Sequence, residues 1–208
     1  MPRISLPDGK RIGPLTRFAF RFAKRRFGLV PEPIRAAAVH PGLLWAGAVH
    51  ELAVERATKH GRLDAELRDL VQLRVATRVG CAWCVDFGTM LAIRAGFSVE
   101  RYRELSRYST SDAFAEIERK ALAYADAMTD LPMTVTDEQV AELRAELGDA
   151  GLFELTYLVA LENMRARTNI ALGITAQGYT SGDQCPVPWT EQITAAAATA
   201  PDQAPVHH

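Results

Sequence analysis

Leu63, Leu67, Leu70, Val71 and Val75 stand at i, i+4, i+7, i+8 and i+12. That spacing gathers five branched aliphatic side chains onto one stripe of a helix. The helix is predicted from about Asp64 to Arg78 and must pack its stripe on a core. No convincing strand alternation and no fixed-period repeat occurs elsewhere. Hydrophobic residues make up 48% and aromatics only 8%, with alanine prominent throughout. The chain is predicted to be all-α.

Three regions are expected. Residues 1–35 form a basic amphipathic N-terminal arm, residues 36–179 a helical domain, and residues 180–208 a flexible tail rich in Pro, Ala, Ser and Gln. In the arm, Leu15, Phe18, Ala19, Phe22, Ala23 and Phe27 recur at helical spacing, with Arg17, Arg21, Lys24, Arg25 and Arg26 interleaved. Such a helix suits an anionic membrane surface. The preferred reading is an arm that docks its Phe stripe on the body or on a neighbouring subunit. Within the domain, helical patterns run over 33–60, restarted at Pro41-Gly42, over 64–78, and over 81–95, which Gly96 closes. Ser98 is the expected N-cap of the next helix. Further helices are predicted over 111–130, 136–147 and 152–175, with Thr136 and Gln139 as a capping box.

Net charge is −1, which gives no global electrostatic case for nucleic acid. Three cysteines are too few for a secreted disulfide framework. A close pair with a distant single Cys185 fits a reducing compartment, and cytoplasm is the expected location. No apolar run approaches the length of a membrane span.

The pair is Cys81-Ala82-Trp83-Cys84, directly after Gly80. Cysteines three apart on a helix share a face, so their sulfurs come within bonding range. In the first turn after a helix break, free N–H groups and the dipole stabilise a thiolate. A thiolate attacks peroxides or disulfides, and its neighbour resolves the product. A structural zinc would need two more ligands, and no second cysteine pair or nearby histidine pair supplies them. Two buried small hydrophobes remain the alternative reading.

The stretch Glu66-Leu67-Arg68-Asp69-Leu70-Val71-Gln72-Leu73-Arg74-Val75-Ala76, then Gly80-Cys81-Ala82-Trp83-Cys84-Val85-Asp86, then Ala95-Gly96-Phe97-Ser98, resembles the carboxymuconolactone decarboxylase superfamily. Within it the cysteine pair is closer to the alkyl hydroperoxidase D branch than to the decarboxylases. Leu161-Glu162-Asn163-Met164-Arg165 to Asn169 resembles the family's C-terminal helix. The resemblance implies a multi-helix alkyl hydroperoxidase D-like bundle, a homo-oligomer, and a thiol-dependent peroxidase or disulfide oxidoreductase. Its substrate would be a hydroperoxide or a disulfide, its electron donor a thiol reductant protein, with no cofactor and no metal. Carried over residue by residue, Cys84 is the attacking thiol, Cys81 the resolving one and Asp69 the acid, shortened from Glu. The family's histidine position falls on Gly88.

Gly88 cannot take a thiol proton, and its small size opens space for a larger substrate or a packed helix. His40, His50 and His60 are candidate substitutes, each expected at a surface or helix end. Arg68 or Arg74 competes for Asp69. Asp86, at i+2 from Cys84, faces away from the sulfur. Glu162 and Arg165 are expected to pair, buried or between subunits. Two other functions stay open: a lyase acting on a small carboxylated lactone, and a non-catalytic redox-sensing or binding oligomer.

Overall fold

The Leu63–Val75 stripe lies at the centre of the molecule. The computed structural model describes residues 2–7 and 12–180. Among these residues eight α-helices follow in order: α1 (Pro14–Phe27), α2 (Glu32–Ala37), α3 (Pro41–Lys59), α4 (Ala65–Val79), α5 (Ala82–Ala95), α6 (Val99–Arg103), α7 (Glu116–Thr129) and α8 (Asp137–Ala171). One 3₁₀ turn covers Glu104–Arg107, and no strand occurs among the described residues. The fold is all-α, as the periodicity predicts.

Helix α4 packs against α8, α7 and α5 at once. Leu70, Val71 and Val75 are fully buried, and Leu67 nearly so. A helix surrounded on three sides needs apolar residues beyond one narrow stripe, and Leu73 and Ala76 supply them. Asp64 starts α4 by accepting a hydrogen bond from the Leu67 N–H at 2.8 Å. Toward α7, Arg74 grips Asp126 with two hydrogen bonds of 2.6 and 2.7 Å. That fork geometry holds the pair more firmly than a single contact would.

Three local expectations are modified. The helices predicted over 136–147 and 152–175 are present, meeting at a kink at Gly148, whose φ of 70° and ψ of 173° are non-helical, and the second ends at Ala171 rather than at 175. Ser98 occupies the N-cap position of α6, yet its hydroxyl donates to Glu100 instead of capping the backbone. The arm's apolar residues divide between two faces. Ala23 and Thr16 are buried and Phe27 is partly so, while Leu15, Phe18 and Phe22 are 65%, 56% and 49% exposed. Thr16, Ala23 and Phe27 lie at i, i+7 and i+11, and the small Ala23 lets the helix approach the body. Leu15, Phe18 and Phe22 occupy the adjoining stripe. The predicted tail beyond Thr180, with Cys185, lies outside the described residues.

Because Leu70 has no exposed surface and sits where three helices meet, Leu70→Ala should lower stability by roughly 2–5 kcal/mol. Urea unfolding followed by circular dichroism measures this.

Candidate active site

The turn between α4 and α5 sets the cysteines. Gly80 adopts φ 84° and ψ 30°, the left-handed conformation in which glycine is favoured, and its N–H closes α4 on Ala76 and Thr77 carbonyls. The Cys81 N–H also donates to the Ala76 carbonyl, at 2.8 Å. Cys81 is thereby the N-cap of α5, and its sulfur accepts the Cys84 N–H at 3.2 Å. Both sulfurs lie at the positive end of the helix. They are joined as a disulfide, with Cα atoms 5.3 Å apart. Cys81 is 1% exposed and Cys84 6%.

One further polar side chain reaches the sulfurs. Asn169, 4% exposed near the end of α8, directs its Nδ2 at the Cys84 sulfur from 3.4 Å and at the Cys81 sulfur from 3.9 Å. A buried amide donor at this position favours negative charge on sulfur. Sequence reasoning placed Asn169 only in a helix similar to the family's. The signal present was Glu162, Ala166 and Asn169 at i, i+4 and i+7, one polar-ended face inside an apolar helix.

On α5 the face that carries Cys84 continues through Gly88 to Leu91, at i+4 and i+7. Leu91 is 37% exposed, and a Cβ added to Gly88 would meet only the Leu73 Cδ1, at 3.6 Å. Between Cys84 and Leu91, Gly88 puts no side chain on this face. The adjoining flank of α5, where Phe87 stands at i+3 from Cys84, carries an aromatic cluster. Trp83 stacks on Phe87 with ring centroids 4.6 Å apart, and Phe27 and Tyr179 meet Phe87 edge-on at 5.0 and 5.3 Å. The Trp83 indole N–H donates to Gln177 Oε1, which also accepts the Glu32 N–H. Asp86 is buried and turned away from the sulfurs, as its i+2 spacing implies. It accepts the backbone N–H groups of Gln177, Tyr179 and Thr180 and the Thr180 hydroxyl.

None of the remaining candidates hydrogen-bonds to the sulfurs among the described residues. Asp69 lies on α4, one turn before the Leu73 that packs at Gly88. Burial pushes its carboxyl up to about 6, opposed by the Arg68 charge and reinforced by Glu66. Arg74, a predicted competitor for Asp69, is committed to Asp126. His40 caps α3 by accepting the Leu43 N–H, His50 bonds the Tyr157 hydroxyl at 2.6 Å, and His60 ends α3. Each histidine is a helix-end or surface group. Glu162 and Arg165 do pair, at 3.1 Å, with Glu162 buried. Arg165 also bonds Gln72 of α4 at 2.9 Å and forks onto Glu51 of α3. Among the described residues no group of three or more His, Cys, Asp or Glu side chains is arranged to hold a metal ion. No helix among them is long and apolar enough to cross a membrane.

Two outcomes follow from this geometry. Asn169→Leu keeps the size of the side chain and removes the donor, so the reduced Cys84 thiol should titrate higher, by about one pH unit for a lost hydrogen bond of ~1.4 kcal/mol. Thiolate absorbance against pH measures it. Asp69 has a folded-state value above 3.8, so the folded protein holds a proton that the unfolded chain has released. Its contribution is complete at low pH and is lost as pH rises from 3.8 to about 6. Asp69→Asn should therefore stabilise the fold above pH 6, by about 1–2 kcal/mol after allowing for its partial exposure. Urea midpoints at pH 4 and pH 7.5 test the sign.

Comparison with known proteins agrees with this architecture. The fold matches that of an alkylhydroperoxidase AhpD core structure, an uncharacterized peroxidase-related protein from Ralstonia eutropha JMP134. The TM-score is 0.74 at 16% identity, covering 86% of this chain and 94% of that one. It also matches a cysteine-to-alanine variant of the debrominase Bmp8 in complex with 2,3,4-tribromopyrrole, with a TM-score of 0.75 at 19% identity, covering 93% and 100%. In sequence the chain is 33% identical to the uncharacterized protein YnjA of Escherichia coli (strain K12) over 175 residues, 84% of this chain and 95% of that relative. Residues 45–127, which hold α4, α5 and the cysteine pair, match the family described as carboxymuconolactone decarboxylase. On these grounds the chain belongs to the carboxymuconolactone decarboxylase family.

Proposed function

We propose that the protein is a thiol-dependent peroxidase that cycles Cys81 and Cys84 between dithiol and disulfide. The observation that carries this reading is the pair itself: both sulfurs sit at the start of α5 and are joined as a disulfide, with Cα atoms 5.3 Å apart. The fold shared with the AhpD core supports it.

The cycle balances with one hydroperoxide and two thiols. The Cys84 thiolate attacks the peroxide's outer oxygen, the O–O bond breaks, and the alkoxide leaves as an alcohol after taking a proton. Cys84 is then a sulfenic acid. Cys81 attacks that sulfur, the S–S bond forms, and water departs. A dithiol reductant protein restores both thiols by exchange. Cys84 suits the attacking role because it is the more exposed residue of the pair and has Asn169 closer. The Asn169 amide favours negative charge on the Cys84 sulfur, while the Cys84 N–H favours it on Cys81.

The same chemistry admits a second substrate class. A debrominase shares the fold, and Gly88 carries no side chain one turn beyond Cys84. Reductive removal of bromine from an aromatic ring would also consume two thiols and leave the disulfide, with bromide in place of the alkoxide. We place the protein in the cytoplasm, where the reductant is present, and assign it as a homo-oligomer. Of the nineteen residues of α3 only Leu44 is buried, while Leu43, Val49 and Leu52 are exposed, as are Leu15, Phe18 and Phe22 of α1. A second copy of the chain would cover such apolar surface.

Peroxide consumption coupled to a dithiol reductant should fall at least a hundredfold in Cys84→Ser. Cys81→Ser should instead accumulate a sulfenic acid that dimedone traps. Full activity in Cys84→Ser would refute the proposal, and turnover of a carboxylated lactone by the double serine variant would establish the lyase reading.

A further inference from the structure

Gly88 leaves the dithiol without a base on its own helix, and a buried acid lies along the helix that supplies Asn169. Glu162, Ala166 and Asn169 occupy one face of α8 at i, i+4 and i+7, and are 7%, 0% and 4% exposed. Glu162 is thus two turns, about 10 Å along the axis, from the amide that touches both sulfurs. Ala166, with no side chain beyond its Cβ, is the residue between them.

The surroundings of Glu162 hold a carboxyl that changes charge without breaking the fold. One oxygen accepts from Arg165 Nη1 at 3.1 Å. The guanidinium does not depend on that contact, because it forks onto Glu51 of α3 and bonds Gln72 of α4. The charged groups that act on Glu162 are Arg165 from its own helix and Glu51 from α3, and α4 presents the neutral Gln72. The charged groups of α5 are engaged elsewhere, Asp86 by residues 177–180 and Arg94 by the carbonyls of Arg26 and Phe27. With one arginine shared between two carboxyls, one acid can be neutral at little cost.

We propose that Glu162 is the proton-holding group of the Cys81–Cys84 centre, serving the pair in place of the base that Gly88 does not provide. The inference rests on the dithiol reading above. Glu162 accepts the proton that Cys84 releases on becoming a thiolate, and returns it to the leaving alkoxide, so the carboxyl ends the peroxide step as it began. Over that separation the proton crosses by a relay of water that enters with the substrate. The burial that isolates Glu162 raises its carboxyl to about 7, near the working pH of such a step.

The test follows Cys84 alone, in a Cys81→Ser background, by the rate of alkylation with iodoacetamide against pH. Expected is a two-step profile, with one step near neutrality that disappears in Glu162→Gln. Glu162→Asp keeps a carboxyl and should retain that step at a shifted pH, so the proposal stays testable if Glu162→Gln does not fold. With both cysteines present, Glu162→Gln should also lower peroxide turnover at pH 7 by tenfold or more. Superimposable alkylation profiles in the parent and Glu162→Gln, or in the parent and Glu162→Asp where the former is unfolded, would overturn the proposal. If Glu162→Gln removes the step while the native dithiol consumes no peroxide, the peroxidase reading fails and the proton-holding role stands. If Cys84-dependent peroxide turnover is present and the profiles coincide, the role of Glu162 fails and the peroxidase reading stands.

Discussion

The left-handed turn at Gly80 is the constraint on which the active centre depends. It ends α4 and starts α5 within two residues, and it does so while satisfying the Gly80 and Cys81 N–H groups on carbonyls of the helix just finished. A residue with a Cβ would be strained at that positive φ, and a longer connection would move the cysteines out of the first turn. Since α4 is held on three sides by α5, α7 and α8, the position of Cys81 is inherited from the core. The redox pair is therefore placed by packing several residues away, and its sulfurs need no scaffold of their own.

Beside that rigid turn, two of the molecule's part-buried charge clusters differ in character. Arg74 and Asp126 match one cation to one anion in fork geometry, with Tyr108 adding a hydroxyl contact to Asp126 at 2.9 Å. Such a pair fixes the register between α4 and α7. Around Arg165 the balance is unequal, since Glu51 and Glu162 share one guanidinium. An unequal cluster in a dry environment favours a neutral acid, whereas an equal one favours full ionisation. The first arrangement is architectural and the second is titratable, although both are made from arginine and carboxylate.

Most of the helical frame was legible because the relevant signals are local. The apolar stripe at Leu67, Leu70, Val71 and Val75, the glycines at 80 and 96, and the Thr136–Gln139 capping box each state their structure within one or two turns. The cysteine pair was legible for the same reason. Asn169 was not, because an asparagine in an apolar helix has no partner that spacing can name, and its partner lies 85 residues away. The Phe stripe of the arm misled in part, since helical spacing gathers apolar side chains on one side without saying which of two adjoining stripes the body takes. Asp86 could be excluded from the sulfurs by its i+2 position, but no local pattern announced that four donors from residues 177–180 would meet it.

Those four donors give α5 a particular place in the order of stability. Its outer face is covered by segments from both ends of the described chain: Phe27, Arg26 and Glu32 from one side, Gln177 to Thr180 from the other. These segments also bond each other, with Glu32 and Gln177 145 residues apart, and next to them only Ala36 and Ile174 enter the buried core cluster that α4, α7 and α8 form with α5. Detaching the two segments costs only the contacts they make, so that face of the redox helix exchanges its amide hydrogens by an opening less costly than global unfolding. The dithiol thus stands at the boundary between the most and the least protected parts of the molecule, with one wall permanent and the other able to yield.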